Sequence, residues 1–169
     1  MLNSQFENHS PELEAAIENK NSLVAKYDSV YFGIEQLNMR ARSSINFTLE
    51  DLKEIAQRCN EKNVRTYITL NTIIYDHDLT MMKKIIDGAK EADITAVIAS
   101  DQGVIGYARS QGVEVHLSTQ LNITNIETLK FYSLFADVAV LSRELSLRQI
   151  KAVCDAVKKE ETLKRNISF

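Results

Sequence analysis

A histidine and a group of polar side chains stand where one apolar run of the sequence ends. The run VEVHL is followed by Ser118, Thr119, Gln120 and Asn122, and His116 lies two residues before the first of them. A histidine at such a strand exit can act as a general base or a metal ligand, while hydroxyl and amide groups can orient a polar ligand. The alternative is a structural role: His116 would be a core residue, and the Ser, Thr and Asn side chains would make turn and cap hydrogen bonds. We take His116 and Gln120 as catalytic candidates and the other three as substrate-binding candidates.

A second group carries charge. Arg143 and Glu144 directly follow the apolar run VAVLS, and Arg40 lies in the polar segment NMRARSS. Arginine at a strand exit can hold a carboxylate or phosphate through two parallel hydrogen bonds. Glu144 is the third catalytic candidate, and both arginines are substrate-binding candidates. Ion pairing with neighbours, or loop packing for Arg40, explains these residues equally well.

Three further polar residues complete the set of substrate-binding candidates. Asn71 and Thr72 follow the run TYITL, and Asp101 follows ITAVIAS. Asp101 could instead cap the helix that comes after it. The sequence has no HExxH spacing typical of a zinc site and no GxSxG context for a serine hydrolase. No metal ligand is therefore predicted, although a divalent metal is left open.

The elements that would position these groups alternate along the chain. Apolar runs predict five strands at 28–33, 64–70, 94–99, 113–117 and 138–141, with helices between them and an opening helix at 10–25. This alternation indicates an α/β fold with a parallel sheet, and ligands bind at the carboxyl ends of such strands. A closed TIM barrel takes about 250 residues, and the chain has 169.

We therefore expect a partial TIM-type (β/α) barrel of about five or six parallel strands. Residues 1–169 are expected to form a single truncated barrel domain, with a frayed tail at 160–169. Exposed sheet edges invite pairing. The barrel is thus expected either to stay open or to be completed by oligomerisation, as a homo-oligomer or with a second subunit.

Composition bears on the binding partners and the cellular location expected of the protein. The formal charge of -3 and pI near 5.7 provide no global attraction to phosphate groups. Cys59 and Cys154 show no CxxC spacing, which favours reduced thiols and a cytoplasmic location. No signal peptide and no apolar stretch of about 18 residues is present, so no membrane association is expected.

Six strings resemble those of one family. They are SVYFG at 29–33, NMRARSSINFTLEDL at 38–52, VRTYITLNTII at 64–74, SDQGVIGYAR at 100–109, VEVHLSTQLNITN at 113–125 and VLSRELSL at 140–147. In order and spacing the chain resembles the collagenase-like peptidases of unknown catalytic type, peptidase family U32. The resemblance implies a barrel-like domain and a peptidase function. Relatives include RNA-hydroxylation and anaerobic ubiquinone-biosynthesis proteins.

The departures from that family suggest a second reading. Relatives open with a strand of the form LLAPAG where this chain has MLNSQFENHS, and they often carry a histidine at the position of Tyr75. Their cysteine motif, of the type HGALC, would lie beyond Phe169, so the iron-sulfur cluster of some relatives is not expected here. The expectation is a peptidase, or an inactive small subunit or fragment of one. The alternative is a non-catalytic binding or scaffold half-domain, with peptide or RNA as its ligand.

Overall fold

The computed structural model of the chain describes residues 28–34, 37 and 47–160. The predicted opening helix, Arg40 and residues 161–169 of the predicted tail lie outside this part. In chain order the elements are β1 (Ser29–Gly33), α1 (Asp51–Glu61), β2 (Arg65–Leu70), α2 (Leu79–Glu91), β3 (Ala96–Ala99), α3 (Gln102–Ser110), β4 (Glu114–Leu117), α4 (Ile126–Tyr132), β5 (Val138–Ala139) and α5 (Leu147–Lys159). Short 3-10 turns occupy Asp76–Asp78 and Thr119–Leu121.

The five strands form one parallel sheet in the order β1-β2-β3-β4-β5. Each strand neighbours the next in sequence, as in a barrel, and β1 and β5 form the two edges of the described sheet. Past the end of β1, Ile34 forms a parallel bridge with Phe47. The predicted α/β partial barrel is therefore confirmed.

One face of the sheet packs against the helices. The strand side chains on this face alternate with those on the other, and they share a single buried cluster with residues of all five helices. Burying each large side chain stabilises the fold by roughly 1.5–3 kcal/mol. The strand members of the cluster are Val30, Phe32, Ile68, Leu70, Val97, Ala99, Val115, Leu117 and Ala139.

The opposite face, which we call the open face, has no helix packed on it in the described chain. Tyr31 is 65% exposed there, and Ile98 is only partly buried. Ile98 stays partly accessible because the helices lie on the other side of the sheet. The open face consists of Tyr31, Tyr67, Thr69, Ala96, Ile98, Glu114, His116 and Val138.

The helix boundaries follow local hydrogen bonds. Ser146 and Gln149 form a reciprocal capping box that starts α5. Helix α4 ends at Tyr132, and the Ser133 hydroxyl donates to the Lys130 carbonyl (2.8 Å). Such a side-chain bond competes with continuation of the helix. Among the described helices, none has the length and apolar character needed to cross a membrane.

The described end of the chain is held in place. Glu160, the first residue of the predicted frayed tail, donates its backbone N–H to the Val157 carbonyl (3.0 Å). Its carboxylate lies 2.7 Å from Lys130 Nζ. Residue 160 is thus the C-cap of α5 and is ion-paired with α4.

Candidate functional site

The carboxyl ends of β2, β3 and β4 bring several predicted site residues to one edge of the sheet. Leu70 pairs with Ala99, and Ala99 pairs with Leu117. The next residue along β2 is Asn71, and the Ser118 amide continues the ladder by donating to the Ala99 carbonyl (2.8 Å). Thr72 and Asp101 lie in the loops that leave this edge.

Two of these residues make the turn and cap hydrogen bonds expected of a structural role. Asp101 Oδ1 accepts from the backbone N–H groups of Gly103 (2.7 Å) and Val104 (3.2 Å), and so caps α3. The hydroxyl of Ser118, which is buried, accepts from the Gln120 amide (3.4 Å). The capping interpretation of Asp101 is confirmed, so this carboxylate oxygen is committed to the helix.

The turn after Ser118 explains the residue types at the rest of that cluster. Asn122 has φ 49° and ψ 46°, a left-handed conformation that asparagine tolerates better than most residues. Its N–H donates to the Thr119 carbonyl (3.1 Å). Gln120 is exposed and Thr119 is half-buried. Of the four, Gln120 and Asn122 are both exposed at the strand exit.

His116 lies on the open face in contact with a carboxylate. Its Nε2 is 2.8 Å from Glu114 Oε1, and the residue is 7% exposed. The Glu114 side chain is 41% exposed and keeps its access to water. With Glu114 as the acceptor of this contact, Nε2 is the donor, and Nδ1 is the ring nitrogen left for another partner.

A tyrosine from another strand completes the cluster. The rings of Tyr67 on β2 and His116 on β4 have centroids 4.6 Å apart and planes inclined by 56°. These strands are not neighbours: two strand spacings separate them by about 9.6 Å. The rings therefore lean toward each other across β3, where Ala96 pairs with Tyr67 on one side and Glu114 on the other. The alanine has 0% exposure although it belongs to the open face.

The candidate Glu144 is held as an ionised carboxylate. The Ser142 hydroxyl donates a short hydrogen bond to Glu144 Oε2. That bond, followed by one from the Glu144 backbone and by the charge of Arg143, lowers the pKa of the Glu144 carboxyl. Glu144 and Arg143 are both exposed, and Ser142 N–H donates to the Ile123 carbonyl (3.0 Å), which places them beside the turn after β4. Glu144 thus suits the role of acceptor better than that of proton donor.

The two cysteines are free thiols outside the cluster of His116, Glu114 and Tyr67. Cys59 is buried, and burial raises the pKa of its thiol to about 11. Cys154 is partly exposed, and both are free thiols. Within the described ranges, no three His, Cys, Asp or Glu side chains group together so as to hold a metal ion.

Glu114 and Tyr67 are the residues of this cluster that are not among the site residues predicted from sequence. Alternation in the run VRTYITL places Tyr67 on the same face as Thr69, opposite the core residues Thr66 and Ile68. That signal puts Tyr67 on the open face. Its contact with His116 depends on the register of three strands.

Comparison with known proteins identifies the family. The model of peptidase family U32 matches residues 13–164. A collagenase of Porphyromonas gingivalis is 53% identical over 150 residues, covering 86% of this chain and 36% of that protein. A protein of Methanocaldococcus jannaschii named as an uncharacterized protease is 44% identical over 134 residues, 79% of this chain and 33% of that protein. A tRNA hydroxylation protein P of Helicobacter pylori is 33% identical over 123 residues, 71% of this chain and 29% of that protein.

Solved structures agree in fold. A U32 peptidase superposes with a TM-score of 0.64 at 11% identity, covering 82% of this chain and 60% of that one. A β-1,4-mannanase, a TIM barrel, superposes with a TM-score of 0.55 at 11% identity, covering 90% of this chain and 64% of that one. The chain spans about a third of the length of the first curated relatives, 36% and 33%. By the family match and the barrel order of its strands, the chain belongs to peptidase family U32.

Proposed function

We propose that this chain supplies the general base of a peptidase site, formed by His116 and Glu114 on the open face. The observation that carries the proposal is a buried imidazole 2.8 Å from a carboxylate, on a sheet face without a helix over it in the described chain. The family supports the reaction class, since a 53% identical relative is named a collagenase. The substrate would be a peptide bond.

The proposed step is hydrolysis with water as the nucleophile. Nδ1 of His116 takes a proton from water as the oxygen adds to the peptide carbonyl, and the imidazolium then gives that proton to the leaving amine. The products are a carboxyl group and an amine. Glu114 fixes the tautomer and stabilises the imidazolium, the part that a carboxylate has in other histidine-based sites.

The other candidates would bind the peptide around this base. The exposed amide of Gln120 can donate to the carbonyl oxygen as it gains charge. Arg143 can hold a carboxylate of the substrate, with Glu144 accepting from a peptide N–H. Asn71 and Thr72 offer polar groups at the same edge, and Arg40 belongs to this set on sequence grounds.

The proposal includes a second protein chain and a cytoplasmic setting. The open face and the β5 edge expose Tyr31 at 65% and Val140 at 43%, and an uncovered sheet edge favours pairing. A second copy of this chain or another subunit would complete the barrel. Free thiols at Cys59 and Cys154 are consistent with a reducing compartment.

The test is cleavage of gelatin and collagen peptides by the purified chain, with and without divalent metal. We expect cleavage by the wild type and none by the double variant His116→Ala with Gln120→Ala. Thr66→Ala is the matched control for a buried polar loss, since Thr66 is buried on the helix-facing side and its hydroxyl accepts from the Thr95 N–H (3.4 Å). Cleavage that survives in the double variant would refute the assignment.

A second candidate is a non-catalytic binding or scaffold half-domain of the RNA-hydroxylation type. It is favoured by the 33% identity to a tRNA hydroxylation protein and by Tyr31 and Tyr67 on the open face, since aromatic rings can stack on unpaired bases. The formal charge of -3 opposes it. Salt-dependent binding of a single-stranded RNA, without any peptide cleavage, would favour this candidate.

A further inference from the structure

The loop that leaves β2 exposes apolar side chains in an alternating pattern. Ile73 is 71% exposed and Tyr75 is 59% exposed, whereas Ile74 between them packs against the core. Tyr75 has extended backbone, in which side chains two residues apart share a side. Ile73 and Tyr75 both present apolar surface to solvent. With His77 we call this surface the β2-exit patch.

The patch is held in a fixed conformation by one aspartate. The Tyr75 N–H donates to Asp78 Oδ2 (3.0 Å), and the Asp78 N–H donates back to the Tyr75 carbonyl (2.8 Å). The other carboxylate oxygen, Oδ1, lies 3.6 Å from His77 Nε2. The Tyr75 and His77 rings are stacked, with centroids 5.6 Å apart and planes inclined by 3°. An exposed aromatic pair fixed in this way loses little conformational entropy when it binds a partner.

The charge around the patch discriminates between kinds of partner. Residues 71–82 contain Asp76 and Asp78 and no lysine or arginine, and the next basic residues, Lys83 and Lys84, lie within α2. Stacked rings could bind a nucleobase, but two carboxylates beside them repel a phosphate backbone. A peptide with an apolar side chain beside a basic one fits both the rings and the charge.

The patch is placed where a barrel binds its ligands. It follows Leu70 at the carboxyl end of β2, the same edge that carries Asn71 and the exits of β3 and β4. Loops at this end of parallel strands build the binding sites of barrel enzymes. The patch therefore adjoins the edge at which the proposed peptidase site opens.

We propose that the β2-exit patch is a peptide-binding subsite that takes an apolar side chain with a lysine or arginine next to it. This inference rests on the proposed peptidase function for its biological role. Binding itself does not require catalysis, so the two proposals can fail separately.

The test measures binding of three labelled probes to the full chain by fluorescence anisotropy. They are a glycine-rich peptide with alternating phenylalanine and lysine, the same peptide with glutamate for lysine, and a 12-nucleotide single-stranded RNA. Tyr75→Ser and, separately, Ile73→Ser should each raise the Kd for the lysine peptide by about 10-fold or more. Phe131→Ser is the matched control, since Phe131 is 57% exposed on α4, and its Kd should stay within about twofold of the wild type. The glutamate peptide should bind more weakly than the lysine peptide.

Two results would overturn the subsite. One is an unchanged Kd for the lysine peptide in both variants, with folding confirmed by circular dichroism. The other is RNA binding that Tyr75→Ser abolishes, which would assign the patch to nucleobases. Peptide binding through Tyr75 without cleavage by the wild type would refute the peptidase and leave the subsite standing. Cleavage with KM unchanged by Tyr75→Ser would refute the subsite and leave the peptidase standing.

Discussion

The contact between Tyr67 and His116 predicts an unusual sensitivity at Ala96. The two ring centroids are 4.6 Å apart across β3, and Ala96, which pairs with Tyr67, is fully buried. Valine adds two methyl groups at this position. In free space their burial would stabilise the fold by about 0.8 kcal/mol each. Since Ala96 has no exposed surface and pairs with Tyr67, we expect the Tyr67 ring to lie against it, so Ala96→Val should instead destabilise the fold by about 1–3 kcal/mol.

A double-mutant cycle separates this clash from a general intolerance of β3. Tyr67→Ala removes one of the two rings and makes room for the valine. Urea unfolding of the wild type, both single variants and the double variant should show a coupling of about 1 kcal/mol or more, with the double variant less destabilised than the sum. Additive losses within about 0.5 kcal/mol would show that Tyr67 does not lie over Ala96.

Three other predictions concern the thiols, Glu144 and assembly. Cys59, whose pKa is raised from 9.0 to about 11, should react with a maleimide far more slowly than Cys154 in the native chain. Equal labelling of both cysteines would contradict this difference in reactivity. Between those two pKa values the folded thiol stays neutral while the unfolded thiol ionises, so the contribution of Cys59 to the free energy of unfolding should fall as the pH rises through that window. Ser142→Ala should raise the pKa of Glu144 toward its ordinary value, because it removes the hydrogen bond that lowers it most. The stability from that lowered pKa is present above the ordinary value and is lost as the pH falls, and a carboxyl titration by NMR that is unchanged in the variant would refute the cause. Light scattering after size exclusion should give more than one chain per particle, and a stable monomer would count against completion of the barrel by a second copy.

The strands and helices of the described chain could be predicted because their signals are local. Apolar alternation located all five strands, and the cap at Ser146 fixed the start of α5. The differences from the predicted structure lie at the ends of strands and helices. Strand β5 has two residues where four were predicted, and α4 stops at Tyr132. The extent of β5 depends on its pairing with β4, and the end of α4 on the bond from the Ser133 hydroxyl, neither of which the apolar pattern contains.

The candidate site was only partly predictable for a related reason. Alternation along β4 placed Glu114 and His116 on one face, and the structure brings them to 2.8 Å. The contact with Tyr67 depends on the register of β2, β3 and β4, which no single segment encodes. From the sequence alone, Asp101 could be either the N-cap of the following helix or a substrate-binding residue. Its extended backbone, with φ -87° and ψ 137°, turns the carboxylate onto the first turn of α3 and favours the cap.

The claim that His116 is the base of a peptidase site is tested most directly by the rate of one variant. His116→Gln keeps a polar side chain of similar size and removes the basic nitrogen. We predict that kcat/KM for a collagen peptide falls by about 100-fold or more, the usual share of a general base. Thr66→Ala should stay within a few-fold of the wild type. A His116→Gln variant that cleaves at the wild-type rate would contradict the account.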